Sequence, residues 1–314
     1  MSVHIGTDPE HAAQLLRRGE VVAIPTETVY GLAANAFDND AVLRIFTTKQ
    51  RPSFDPLIVH IGRLEDVGRV ARELPPWAEQ LMQAFWPGPL TLVLPKQASI
   101  PDLVTSGLDT VGVRMPAHPK ALELLQLLEF PLAAPSANPF GYVSPTTAQH
   151  VADQLGEAIP YILDGGACAV GVESTIIGWE GDRWVLYRPG GVAVEAIEAV
   201  IGRVAAAAHQ VVPAAPGMLE SHYAPRKPVY MGDVADLLDK YAGMRLGVIS
   251  FSRSYVVEQS MALSLQGDLA EAARNLFAVL RELDASDVIL AERFPDEGLG
   301  RAINDRLRRA AAKR

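Results

Sequence analysis

Lys49 and Arg51 are two cations one residue apart, followed at once by Pro52. An ammonium and a guanidinium at that spacing, beside a proline that fixes the backbone, make a clamp for phosphate oxygens. The same pair also suits a helix C-terminus, where cations answer the dipole, and on local pattern alone that plainer reading is favoured. Other polar groups recur where apolar runs stop: Thr28, His60, Thr110, Arg114, Ser136, Asn138, Ser144, Ser174 and Arg188. Four cations among hydroxyls point to a small pocket for an anionic ligand, phosphate or carboxylate. No Gly-x4-Gly-Lys-Ser/Thr loop, no Gly-x-Gly-x-x-Gly, no Gly-x-Ser-x-Gly elbow and no His/Cys set at metal-ligand spacing occurs.

The elements that must position these groups follow from periodicity. Val21 to Ile24 reads as a buried strand that stops at Pro25, and strand ends are where open α/β sheets place ligands. A helix follows from an Asp38 or Asn39 cap and runs out at Lys49. Thr7-Asp8-Pro9 starts a helix over 9–18. Pro75-Pro76 opens another, with Trp77, Leu81, Met82 and Phe85 on one face, and Leu90 to Leu94 is a strand. Thr110 to Arg114 alternates, so Thr110, Gly112 and Arg114 share one strand face, turned either to solvent or to a cleft. Pro119 to Leu128 is a helix, and Leu132 to Ala134 is a short buried segment. It runs into Ser136-Ala137-Asn138, where small residues admit a ligand close to the backbone or simply form a turn. Ser144-Pro145-Thr146 starts a helix, Tyr161 to Leu163 is a strand, and 171–177 with 184–190 form a hairpin pair. Residues 193–201 are helical.

Alternation of strand and helix resumes at Val229 and continues to a helix over Leu299 to Ala312, the mark of a small sheet with crossover helices. The intervening stretch is Ala- and Pro-rich and reads as a linker, within which His222 and Tyr223 are odd if it is only a tether. The Arg-rich end, Arg301 to Arg314, reads as a solvated helix face rather than a nucleic-acid contact.

The chain has 314 residues and is 49% apolar, enough for a large core and two domains. Its charge is −9, and all of it lies in residues 1–205, with 14 Lys/Arg against 23 Asp/Glu. Such an acidic unit argues against broad binding to a phosphate backbone. Cys168 is the lone cysteine, which excludes an intrachain disulfide, suits a cytoplasmic location and reads as packing in a small-residue turn. No apolar run has membrane-spanning length, and no signal peptide is expected.

Taken together, Pro25-Thr-Glu-Thr-Val-Tyr-Gly-Leu32, Lys49-x-Arg51-Pro52, Pro56-Leu-Ile-Val-His60, Trp86-Pro-Gly-Pro-Leu-Thr91, Ser136-x-Asn138 and Glu173-Ser-Thr175 resemble the YrdC-like family. Pro216-Gly-Met218, His222-Tyr223-x-Pro225 and Gly298-Leu-Gly-Arg-Ala302 are similar to its long, two-domain form. Six motifs in order make the resemblance specific, and it covers nearly the whole chain. It implies an α/β fold: a twisted mixed sheet with a basic central cavity over 1–205, a linker or lid over 206–228, and a small doubly wound, Rossmann-like α/β domain over 229–314. It implies an enzyme that joins L-threonine, bicarbonate and ATP into threonylcarbamoyl-adenylate and pyrophosphate. A separate transferase then passes the group to tRNA, beside the anticodon.

By that resemblance Lys49, Arg51, Ser136, Asn138, Ser144 and Arg188 hold ATP, with Thr110 beside them, and Lys49 and Arg51 carry the catalytic charge. Thr28, His60, Arg114, Ser174 and the backbone of Ala134 hold threonine, and Tyr30 walls the pocket. His222 and Tyr223 let the linker fold over the nucleotide. Mg2+ is expected with ATP, and no prosthetic group is. Asp55 departs from the family pattern, which has Asn there; the carboxylate either meets ribose or Mg2+ or loses its contact. Three rivals share the fold: a double-stranded RNA-binding module, a hydrogenase-maturation carbamoyl-adenylate enzyme, which needs cysteine-bearing segments, and a regulatory module without catalysis.

Overall fold

The computed structural model describes residues 3–207, 215, 216, 218, 219 and 221–312. Of the expected lid, 208–214, 217 and 220 therefore lie outside the described residues, as do 313 and 314 of the Arg-rich end.

The first unit runs β1 (His4–Gly6), α1 (Pro9–Arg17), β2 (Val22–Ile24), β3 (Gly31–Asn35), α2 (Asn39–Lys49), β4 (Ile58–His60), α3 (Val67–Val70), α4 (Ala78–Phe85), β5 (Leu90–Pro95), α5 (Asp102–Thr105), β6 (Thr110–Arg114), α6 (Pro119–Leu127), β7 (Leu132–Ala133), α7 (Ala148–Leu155), β8 (Tyr161–Leu163), β9 (Thr175–Glu180), β10 (Arg183–Arg188), α8 (Val194–Ile201) and β11 (Ala205–Ala206). Its strands join one mixed sheet in the order β1-β8-β2-β3-β7-β4-β6-β5-β9-β10-β11.

Local chemistry sets the elements that matter for the site. Asp38 caps α2, its carboxylate accepting from the backbone of Asp40 and Ala41, and Gln50 ends the helix in the left-handed region at φ 52°. That reversal turns the chain back so that Lys49 points inward and Arg51 follows on a loop. Register does the rest. Parallel pairing of β4 with β6 sets His60 against Arg114, and pairing of β5 with β9 sets Leu90 against Thr175. A lone bridge between Gly31 and Ser136 draws the Ser136 turn onto the Thr26–Tyr30 loop. A side chain at Gly31 would press on Ala134, whose Cβ would lie 3.2 Å away.

The second unit holds β12 (Val229–Met231), α9 (Val234–Lys240), β13 (Leu246–Ser250), β14 (Gln259–Ala262), α10 (Leu269–Glu282), β15 (Val288–Ala291) and α11 (Gly298–Ala311). Its sheet is all parallel, in the order β12-β15-β13-β14. Both faces are covered, as parallel sheets require. Ile249, Ile289 and Ala291 pack with Leu276 and Phe277 of α10 and Ile303 and Leu307 of α11. Val248, Val288 and Leu290 pack with Val234 of α9.

The two units share a core. Val29, Val143 and Val172 of the first belong to the same apolar cluster as Phe277 and Leu276 of the second. Gly171, at φ 79°, lies so close to α10 that an added Cβ would sit 2.3 Å from Arg274 Cα. Tyr142 donates to Asp284 Oδ2 at 2.7 Å across the same seam. Trp77 is a correction to the sequence reading: it precedes α4 at φ 70° and is half exposed, because the Pro75-Pro76 entry delays the helix by one residue.

Candidate active site

Where β3, β4, β6, β9 and β10 end, a cavity with about 540 Å3 of empty space opens against the linker. Its wall includes Thr28, Arg51, His60, Arg114, Ala134, Ser136, Ser174, Arg188, His222 and Tyr223. Residues from seven separate stretches of the first unit thus meet, and Pro216, His222 and Tyr223 of the linker close one side.

The cations are buried and already engaged. Arg51 Nη2 lies 2.8 Å from Asp55 Oδ2, and its guanidinium also donates to the carbonyls of Asp55 and Pro56. Arg114 donates to Thr28 Oγ1 at 2.9 Å and to the Gly88 carbonyl, and pairs with Glu27 Oε1 at 2.6 Å. Arg188 donates to the Ser174 carbonyl and hydroxyl, to the Pro216 carbonyl at 3.1 Å, and reaches the Tyr223 hydroxyl at 3.5 Å. Ser174 in turn shares a hydrogen with Thr91 at 2.8 Å.

Burial dominates the electrostatics. It pushes Asp55 up against the pull of Arg51, Lys49 and Arg188, and it pushes Lys49 well down, helped by Arg51. His60 falls to about 3 through burial and then through Arg114. His222 falls as well, through burial and the cations around it, Arg51 first. Both imidazoles are therefore neutral near pH 7, and the Nδ1 atom of each is buried without a hydrogen-bond partner in the protein. Two neutral rings with open nitrogens on one cavity wall suit a polar ligand.

Six expected site residues do not line this cavity. Lys49 lies behind the Ser136 turn, where Nζ donates to the Ser136 carbonyl at 2.5 Å and to the Asn138 carbonyl. Asn138 spends its amide on the carbonyls of Pro139 and Tyr142. Ser144 donates to Glu173 Oε1 at 2.5 Å. Asp55 sits behind Arg51. Tyr30, expected as a wall, instead donates to the Gly166 carbonyl at 2.7 Å and accepts from Gly165, anchoring the loop from below. Thr110 lines a second, much smaller hollow, which shares Pro216 with the first.

Sequence reasoning missed three groups. Glu27 and Glu173 stand inside quoted motifs, yet their partners lie far along the chain. Arg306 was read as part of a solvated face. It is fully buried, 2.7 Å from Glu173 Oε2, with its guanidinium 5.0 Å over the Tyr223 ring. Tyr223 takes φ 61°, a strained conformation for an aromatic residue, held by Arg306, His222 and Phe277 around its ring. Cys168 is buried, its thiol pushed up to about 12 by burial and then by Glu27, consistent with packing.

Residues 14–190 match the Sua5/YciO/YrdC family, described as telomere recombination, and residues 192–312 match the family described as threonylcarbamoyl-AMP synthase, C-terminal domain. The chain is 48% identical to threonylcarbamoyl-AMP synthase of Pyrococcus abyssi, spanning 96% of this chain and 94% of that protein. It is 44% identical to the protein of the same name from Bacillus subtilis, over 98% and 94% respectively. The crystal structure of P. abyssi Sua5 complexed with L-threonine superposes with a TM-score of 0.93 at 44% identity, over 99% of this chain and 98% of that one.

Proposed function

The chain belongs to the Sua5/YciO/YrdC family in its long form, and we propose that its cavity joins L-threonine, bicarbonate and ATP into L-threonylcarbamoyl-adenylate and pyrophosphate. It is an enzyme of the threonylcarbamoyl-AMP-forming kind, and its product serves tRNA modification. The observation that carries the site assignment is the convergence of Arg51, Arg114 and Arg188 with Thr28, Ser136 and Ser174 around one hollow.

The reaction needs a neutral threonine amine to meet CO2 or bicarbonate, giving a carbamate. A carbamate oxygen then attacks the α-phosphorus as the bond to pyrophosphate breaks. Arg114 takes the threonine carboxylate: its guanidinium carries five N–H bonds, of which three are committed to Gly88, Thr28 and Glu27. Thr28, Ser174 and the open Nδ1 of neutral His60 supply partners for the amine and hydroxyl. A site built to hydrogen-bond a hydroxyl rejects valine, which would leave those groups unpaired. Arg51, Arg188 and Ser136 meet the phosphates, and His222 with Tyr223 closes the linker over the nucleotide as a lid. Lys49 acts from behind, holding the carbonyls of Ser136 and Asn138, so its role is to shape the turn that ATP meets. The nucleoside end extends toward Thr110, in the smaller hollow that shares Pro216 with this one. Positioning and preset charge carry the reaction, with no covalent nucleophile.

Mg2+ comes with the ATP phosphates. Each carboxylate next to the cavity already faces a cation: Asp55 faces Arg51, Glu27 faces Arg114 and Glu173 faces Arg306. With that charge opposed and no cluster of three His, Cys, Asp or Glu side chains among the described residues, protein carboxylates do not fit a resident ion, and no step runs through one. A downstream transferase takes the labile adenylate, and the work is cytoplasmic. No helix among the described residues is long and apolar enough to cross a membrane.

Incorporation of radiolabelled bicarbonate into an adenylate, run with and without L-threonine, tests the reading. Label and pyrophosphate should appear only when threonine and ATP are both present. Pyrophosphate release that ignores threonine, or none at all, removes the proposal.

A further inference from the structure

We infer that Arg306, on the last helix of the second unit, is a positioning residue for the ATP half of the cavity and for the linker that closes it. Resting on the reaction proposed above, the inference adds a residue from outside the sheet that carries the cavity.

Arg306 has no exposed surface. Nε meets Glu173 Oε2 at 2.7 Å, and Nη1 donates to the Pro189 carbonyl at 2.9 Å and to Asp305 Oδ2 at 2.7 Å. The other oxygen of Glu173 accepts from Ser144. The guanidinium lies over the face of Tyr223, whose hydroxyl reaches Arg188. Two routes from these contacts reach the nucleotide side: Ser144 through Glu173, and Arg188 through Pro189 and through Tyr223. Of the threonine groups only Ser174, next to Glu173 and bonded to Arg188, lies within their reach; Thr28, His60 and Arg114 do not.

The charge balance explains why an arginine is needed here. Glu173 lines the cavity, and a buried carboxylate beside incoming phosphate repels it unless a cation neutralises it. Burial works against charge on Arg306, but Tyr223, Glu173 and Asp305 outweigh it and hold its pKa above the ordinary arginine value. Asp305 also pairs with Arg309, which donates to the Leu219 carbonyl of the linker, so α11 grips the linker at two points. A guanidinium can hold a carboxylate and a carbonyl in its plane while its flat face lies on a ring; an ammonium has no such plane to share between them.

The test compares full-length wild type, Arg306→Lys and Arg306→Met by thermal melting, by titration with a non-hydrolysable ATP analogue and with L-threonine, and by kcat and KM for each substrate. Arg306→Met should weaken the analogue about ten- to a hundredfold while L-threonine affinity stays within about twofold, with Arg306→Lys between. Folded variants in which both ligands weaken alike, or in which the analogue binds as in wild type, overturn the inference. If Arg306→Met does not fold, Arg306→Lys and Glu173→Gln decide by the same split between the two ligands. Wild type that binds both ligands but forms no adenylate refutes the proposed reaction and leaves Arg306 to be judged on analogue affinity. Wild type that does not bind the analogue overturns both.

Discussion

Asp55→Asn separates what the Arg51 environment does for stability from what it does for binding. The carboxylate lies 2.8 Å from Arg51, both groups almost wholly buried. Two unit charges about 4 Å apart attract by roughly 4 kcal/mol at an effective dielectric of 20. The amide keeps one acceptor for Arg51, so the net loss should be smaller, about 1–3 kcal/mol. At some 2–4 °C per kcal/mol for a chain of this order, the variant without ATP should melt roughly 2–12 °C lower. ATP should reverse the sign of the effect. Arg51 and Arg188 would face the phosphates with one carboxylate fewer behind them, and Arg51 would be free to turn its fork outward. Recovering 1–2 kcal/mol corresponds to an ATP KM about 5- to 30-fold lower. Melting with and without ATP, alongside ATP titration of pyrophosphate release, reads both halves. A variant as stable as wild type without ATP removes the counter-ion role of Asp55. A variant destabilised equally with and without ATP, its ATP KM unchanged, means that Arg51 does not meet phosphate.

Arg51→Ala should cut pyrophosphate release by about 10^2- to 10^3-fold while the melting curve stays cooperative, and Lys49→Ala should do likewise by releasing the Ser136 turn; unchanged turnover in both removes the ATP assignment. Arg114→Ala should raise the threonine KM about 10- to 100-fold with the ATP KM little changed, and an unaltered threonine dependence counts against that role. Acid stability should also respond to His60. Its pKa falls from 6.5 to about 3 on folding, so the unfolded chain binds the extra proton and stability drops as pH falls from 6.5 toward 3. His60→Gln should flatten that limb, leaving the share of His150, which is lowered to about 4, and of His222; a limb of unchanged slope would show that His60 already binds a proton when folded.

Much of this was legible from periodicity. The runs that became β2, β5, β6, β8 and most elements after Val229 carry strong apolar alternation or caps that decide their type locally. β3 was not foreseen, because Gly-Leu-Ala-Ala-Asn has no β-branched residue. It is a strand only because β2 and β7 pair with it on either side. β14, Gln-Ser-Met-Ala, was missed for the same reason. In the site, residue types at strand ends announced an anion pocket. What they could not announce was who neutralises whom. Glu173 and Arg306 are 133 positions apart, and an arginine on an amphipathic helix looks the same whether it faces water or another domain. Thr110 and Tyr30 show the converse: a motif residue can serve a neighbouring cavity, or the underside of the loop.

Strand order also dictates what the growing polypeptide must wait for. β1 and β2 emerge first, yet both pair with β8 at Tyr161–Leu163. Translation at about 5–20 residues per second leaves β1, and the edge of β2 that β3 does not cover, without that partner for roughly 8–30 s. During that interval unpaired backbone edges stand open to other nascent chains. A chain cut short before Tyr161 should therefore leave that sheet edge open, while one extended past Leu163 can close it.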